Sequence, residues 1–279
     1  MIHPQSLNTR GMIPFCSLLN LFNYNSILCF CMYKHNIVSL HRQWDKIMAS
    51  FRQYIIEQVM AYREGKIFTF KDLVFEPQKK ACAAVVLSEL TKKGILARAA
   101  KGVYFRPKVS LLGLKYRPLS YQEKLDFISK ELGGYLSGPY MFNQMQLTEQ
   151  VASVITIATP NPVRKFVKMN VNVNCIKSYI HKIDETDVYY LRLLDAVKFI
   201  NDIPGTTPTD VYSRLMLHHF KNFQSKDLDK INQLALSYPP RVRKIMMDVC
   251  HDLGYTKGKN LLLGSINSNT HFKTTLNCN

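Results

Sequence analysis

The sequence is short of acid, of tryptophan and of the small glycine motifs that mark common catalysts. Its 279 residues hold 20 Asp+Glu against 37 Lys+Arg, one Trp, and a formal net charge of +17. That balance excludes an acidic, solvating chain, and a surface so charged attracts polyanions, so nucleic acid or an acidic partner is the first class to consider. Gly and Pro number 12 each, which excludes collagen-like and linker-like chains, while 47 % hydrophobic residues are enough for a sizeable core. The seven cysteines, at 16, 29, 31, 82, 175, 250 and 278, are odd in number and far too sparse for a disulfide scaffold. A reducing, cytoplasmic setting is the simplest reading. Cys29 and Cys31 are too close for a zinc knuckle and Cys250–His251 has no second pair nearby, so neither metal nor cofactor is expected. There is no G-x-S-x-G, no P-loop, no G-x-G-x-x-G and no H-E-x-x-H. An enzyme is not expected.

A long uninterrupted apolar run is also missing. From Ile13 to Tyr33 the chain is apolar but broken by Ser17, Asn20, Asn23, Asn25 and Ser26, too many polar groups for a comfortable span. No small-residue cleavage site follows Arg10. Residues 1–47 therefore admit three readings: a weak membrane anchor, a poorly structured extension, or an untranslated stretch ahead of a true start at Met48. The third is favoured, because clean amphipathic patterning begins just after Met48.

What is present begins there. Phe51, Tyr54, Ile55, Val59 and Tyr62 recur with helical spacing, and Gly65 supplies a stop. Thr69 followed by Asp72 is a capping pair, predicting a short helix over Lys71–Phe75. Ala83, Val86, Leu87 and Leu90 mark the inner face of a third helix over 78–93, which opens on Gln78, Lys79 and Lys80 and stops at Gly94. Adjacent lysines at the positive end of a helix dipole are locally inconsistent, and an arriving polyanion would resolve that. Ile95–Ala99 and Val103–Arg106 read as a hairpin turning at Gly102 and carrying Arg98, Lys101, Arg106 and Lys108. Helix, short helix, helix and basic hairpin is the order of a winged helix-turn-helix. Residues 48–110 hold 12 Lys+Arg against 5 Asp+Glu. Double-stranded DNA is the expected partner, with Gln78, Lys79 and Lys80 at base edges and Lys71, Arg98, Lys101 and Arg106 on phosphates. The competing reading is a basic face that binds protein.

Residues 111–263 read as a second, mostly helical α+β domain with a small sheet, giving an α+β protein overall. After a connector over 111–119, Ser120 and Glu123 form a capping box for a helix to about Leu132, where Gly133–Gly134 follow. Residues 136–147 suggest a turn and a short helix. Val151–Thr159 and Val171–Ile176 read as strands, the second alternating Val and Asn. Helices are expected over 188–201, from a Thr207 cap with Pro208 and Asp210, over 226–238, and from Pro239–Pro240 to Leu253 before Gly254. Residues 264–279 read as a flexible tail. Ser137 lies in a turn-like sequence with no marked base. His218 and His219 point about 100° apart on a helix, and Asp184, Glu185 and Asp187 suit a helix dipole better than a metal. The strands lack the acidic triplet of a metal-dependent nuclease.

Three runs, 65–73 (GKIFTFKDL), 87–95 (LSELTKKGI) and 101–107 (KGVYFRP), resemble the winged-helix start of AbiEi-like antitoxins of type IV toxin–antitoxin systems. Residues 136–140 (LSGPY), 195–200 (DAVKFI) and 238–243 (YPPRVR) are similar to the second domain of their relatives. The resemblance spans about Met48 to Gly254. It implies a bacterial DNA-binding repressor of its own operon, opposing a nucleotidyltransferase-like toxin with or without a direct complex. Arg164, Lys165, Arg241, Arg243 and Lys244 are then candidate contacts in the second domain. A protein-interaction module and a phage-defence nuclease remain the alternatives.

Overall fold

The computed structural model describes residues 49–108 and 117–267. The segment 1–48, most of the connector and the tail from 268 lie outside them, and with these the expectations placed there, including a start at Met48. The protein is α+β, and the described residues form two small sheets and a majority of helix. Two compact units divide the described chain: 49–62 with 75–89, and 63–74 with 90–267. The expected domain cut at 110/111 falls among residues outside the description.

In the first unit, helix α1 is described over 49–61. Its buried stripe is Phe51, Ile55 and Val59, at i, i+4 and i+8, whereas Tyr54 of the expected stripe is exposed. A 3-10 turn, Pro77–Lys79, leads into α2, Lys80–Lys92, whose Ala83, Val86 and Leu87 are buried as their spacing requires. The expected helix over 78–93 is thus shorter, and Gln78 and Lys79 precede its first turn. Pro77 explains the difference, since its fixed φ favours a turn start and it lacks an N–H.

In the second unit, β1 (Ile67–Thr69), β2 (Ala97–Ala100) and β3 (Val103–Phe105) form an antiparallel sheet in the order β1-β3-β2. The hairpin was expected, and Gly102 takes φ +74° at its turn. β1 was not expected: its three residues sit directly ahead of the Thr69–Asp72 capping box. That box closes as the sequence implies, Thr69 N–H donating to Asp72 at 2.7 Å. It opens only one 3-10 turn, Phe70–Asp72, and not the helix expected over Lys71–Phe75.

Helix α3 (Tyr121–Glu131) starts on the Ser120–Glu123 box. A four-stranded sheet follows, built from β4 (Tyr135–Ser137), β5 (Ile155–Thr159), β6 (Phe166–Lys168) and β7 (Val171–Lys177) in the order β4-β5-β7-β6. β5 and β7 are parallel, and the other pairs are antiparallel. β6 and β7 join through Met169 and Asn170, both at positive φ, the backbone of a two-residue hairpin loop. The short α4 (Gly138–Gln144) and the helices α5 (Val188–Lys198), α6 (Pro208–His218), α7 (Ser225–Ala235), α8 (Pro240–Asp252) and α9 (Thr256–Leu263) complete the unit. Of these, α9 was not expected beyond Gly254.

The period of two in the strands divides the core. Leu136, Ile155, Ile157, Val171 and Val173 pack with Leu125 and Ile128 of α3, and Val103 of the hairpin belongs to the same cluster, with Ile67, Ala99 and Ala100 against it. Tyr135 and Ala158 instead join the helical core of Leu191, Leu194, Val211, Leu215, Ile231, Ile245 and Val249. The four-stranded sheet is therefore sandwiched between the helices on one face and α3 with the hairpin on the other.

Candidate nucleic-acid interface

The residues expected at base edges sit where α2 begins. Gln78 and Lys80 are exposed, as are Ala81 and Val85 farther along the helix. Lys79 is half-buried and has local company: its Nζ lies 3.3 Å from Glu76 and 5.7 Å from the centre of the Phe51 ring. Lys79 is thus held over an aromatic ring, where its charge is favourably placed, and Lys80 is exposed. Beside α2 an open cleft of about 670 Å³ is lined by Ala49, Gln53 and Ile56 of α1 and by Ala81, Cys82 and Val85 of α2. Arg52 and Glu89 close an ion pair at its rim at 2.7 Å.

The residues expected on phosphates sit on the three-stranded sheet of the other unit. Lys71 is exposed on the 3-10 turn after β1, and Lys101 is exposed at the hairpin tip. Arg98 is exposed on β2 and donates through Nε to the Ala100 carbonyl at 3.2 Å, which draws the guanidinium along the strand toward the tip. Among the described residues none of these three has a carboxylate within ion-pair distance. Arg106 is half-buried, and its carbonyl accepts from Gly65 N–H at 2.7 Å. Phe68, Phe70 and Tyr104 stiffen the sheet, with ring centres 6.1 Å apart in both the Phe68–Tyr104 and Phe70–Tyr104 pairs.

The second-domain cations lie on two separate stretches of chain. Arg164 and Lys165 are exposed in the segment between β5 and β6. Arg241, Arg243 and Lys244 lie on α8, where Arg243 donates to the Ser265 carbonyl at 2.6 Å and Lys244 lies 3.5 Å from Asp248. Arg243 thereby ties the end of α9 to α8, an architectural use that its basic sequence context hides.

Sequence reading passed over a buried carboxylate. Asp195 on α5 is 3 % exposed and accepts three hydroxyl hydrogen bonds, from Ser137 at 2.6 Å, Tyr135 at 2.9 Å and Tyr238 at 3.0 Å. Burial raises its pKa against the opposing pull of those hydroxyls and of the Lys198 charge. Burial also pushes both tyrosines far up, aided by the nearby Asp195 charge. Ser137 is itself 1 % exposed. The constellation joins β4, α5 and the α7–α8 corner and is closed to solvent, which suits a joint better than a reacting centre.

The remaining acid candidates and His219 also have structural partners. Asp184 caps the 3-10 turn Glu185–Asp187, with Thr186 N–H donating at 2.9 Å, while Asp187 pairs with Lys230 at 2.8 Å and Glu185 with Lys130 at 3.1 Å. His219 lies between Tyr189 OH at 2.9 Å and the Met145 carbonyl at 3.3 Å, and burial lowers its pKa. His218 faces an open polar cleft with Asn143, Thr148, Glu149 and Arg214. Among the described residues no group of three or more His, Cys, Asp or Glu is placed to hold a metal, and no helix is long and apolar enough to cross a membrane. The chain matches no known family model and no curated protein sequence.

Proposed function

We propose that this chain is a DNA-binding transcriptional repressor of the winged-helix type and the antitoxin of a type IV operon. The observation that carries the DNA-binding half is the cationic three-stranded sheet. Lys71, Arg98 and Lys101 are exposed and lack a carboxylate partner among the described residues, an arrangement suited to phosphate oxygens. The order of α1, the turns, α2 and the basic hairpin agrees with that reading, as does the +17 charge. The antitoxin half rests on the resemblance of residues 48–254 to AbiEi-like proteins, whose partner is a nucleotidyltransferase-like toxin.

The test is binding to duplex DNA over a salt series. Affinity should fall log-linearly with salt at a slope of about −0.9 per phosphate contacted. Replacing Arg98 and Lys101 together by Ala should flatten that slope by about two such contacts, and K79A/K80A should weaken binding several-fold. Binding that ignores salt, or slopes that ignore Arg98 and Lys101, would sink the assignment. The antitoxin half predicts that a nucleotidyltransferase-like gene from the same operon arrests growth when expressed alone and does not when this chain is co-expressed. The apolar α1–α2 cleft favours a second reading, a protein-interaction module; it requires a partner whose binding is unaffected by R98A/K101A.

A further inference from the structure

We infer that α2 reads thymine methyl groups, so that the preferred duplex is rich in A·T pairs. The inference rests on the DNA-binding reading and says what that interface discriminates. The exposed stripe of the helix is Ala81, Val85 and Ser88, at i, i+4 and i+7, and Gln78, also exposed, lies on the 3-10 turn just ahead of it. Val85 stands 59 % exposed in a helix whose opposite side buries Ala83, Val86 and Leu87 to 5 % or less. A β-branched apolar side chain held in water on such a stripe is unfavourable, and covering it recovers the transfer free energy of its methyl groups.

The chemistry of the stripe selects among bases. Guanine is read by an Arg or Lys fork on O6 and N7, cytosine by a carboxylate on N4, adenine by an Asn or Gln on N6 and N7, and thymine by apolar contact with its C5 methyl. The stripe carries no Arg, Asp or Asn. The helix's one carboxylate, Glu89, is held by Arg52 at 2.7 Å and is thereby withdrawn from base reading. What remains is one amide, suited to adenine, one hydroxyl that serves any base, and two apolar groups, suited to the methyl of the paired thymine. Lys80 at the entry to the helix supplies the charge that brings a polyanion to this face and not an apolar peptide. The cleft flanking Ala81 and Val85 continues the apolar surface toward Ile56, with the Arg52–Glu89 ion pair at its rim.

The experiment is fluorescence anisotropy of the full chain, at one salt concentration, with four duplex polymers. Poly(dA-dT) carries the methyl and poly(dA-dU) lacks it while keeping every hydrogen-bonding group. Poly(dG-dC) lacks it, and the same polymer with 5-methylcytosine restores a methyl at the corresponding place in the major groove. Each methyl covered should contribute about fourfold in affinity. The expected order is therefore dA-dT above dA-dU, and methylated dG-dC above plain dG-dC. V85S should shrink both methyl-dependent differences by about the fourfold of one methyl contact, with circular dichroism to show that the helix persists. Equal binding of dA-dT and dA-dU overturns the methyl inference and leaves DNA binding standing. Failure to bind any of the four overturns the DNA reading itself. A V85S protein that keeps the full methyl preference removes α2 as its source.

Discussion

Replacing Asp195 by Asn should cost stability, and the cost should be largest in acid and shrink as the pH rises. Burial raises the Asp195 pKa in the folded protein, whereas in the unfolded chain the group titrates near its ordinary value of about 3.9. Between the two values the native state keeps a proton that the unfolded state has released. The unfolded state then binds fewer protons than the native state, so stability falls with rising pH across that window and levels off above it. The amide of the D195N variant does not titrate, so the wild type loses ground to the variant over the same range. The acid-side penalty follows from the three hydroxyls of Ser137, Tyr135 and Tyr238. Below the folded pKa the wild-type acid hydroxyl can still accept while it donates, whereas the Asn amide nitrogen only donates, so one buried hydroxyl must reorient or go unpaired, at about 1–3 kcal/mol. Tyr238 has an outlet in the Leu191 carbonyl at 3.4 Å, which places the expected value at the lower end, about 1–2 kcal/mol. Asp195→Ala removes every acceptor and leaves a void, and should cost about 3–5 kcal/mol in acid, a cost that shrinks with rising pH in parallel with that of D195N. Urea titrations followed by circular dichroism, run on wild type and D195N from roughly pH 4 to 8, measure the difference directly, because carboxylates common to both proteins cancel. A penalty that grows with pH would refute the reasoning, since it would mean that the three hydroxyls outweigh burial and hold Asp195 ionised.

Two further substitutions address the architecture. Ser120→Ala should lower stability by about 1 kcal/mol, because it leaves the Glu123 N–H of α3 without its 3.1 Å acceptor; an unchanged thermal midpoint would remove the box from the list of stabilising contacts. Gly134→Ala should cost far more than Gly133→Ala by urea titration. A Cβ at 134 would fall 2.4 Å from the Ala158 carbonyl, whereas at 133 it meets nothing within 4 Å and the cost is confined to φ +58°, about 1 kcal/mol; equal costs would show that β4 and β5 can shift apart.

The elements that could be read in advance are those whose signals are local. Ser120 with Glu123, Thr207 with Pro208 and Asp210, and the stops at Gly94 and Gly254 each involve residues within one turn, and each is found as expected. The three unanticipated strands are three residues long, too short to show a period. β4 is buried on both faces, so alternation is erased, and β6 is a sheet edge whose Val167 is 67 % exposed. α9 opens on Thr–Lys–Gly–Lys, a poor helix start, but Gly258 gives close approach: a Cβ there would lie 2.3 Å from the Asn232 amide. Asp195 was illegible for a different reason. Its hydroxyl partners lie 43 to 60 residues away, and a lone acid in the run 191–200 resembles a surface position until the chain folds. At the candidate interface, types and charges were legible, but the diversion of Lys79 to Glu76 and Phe51 depends on an aromatic 28 residues upstream.

Val103 has a consequence for how such a protein is inherited. Because that hairpin residue shares its core with Leu125, Ile128 and the four-stranded sheet, the cationic hairpin and the domain after it form one hydrophobic object. A recombination junction near residue 110 would separate the hairpin from the surface that keeps its inner face dry. The viable unit of exchange is the hairpin together with α3 and the sheet, while the outward residues Arg98 and Lys101 are free to drift with whatever they contact.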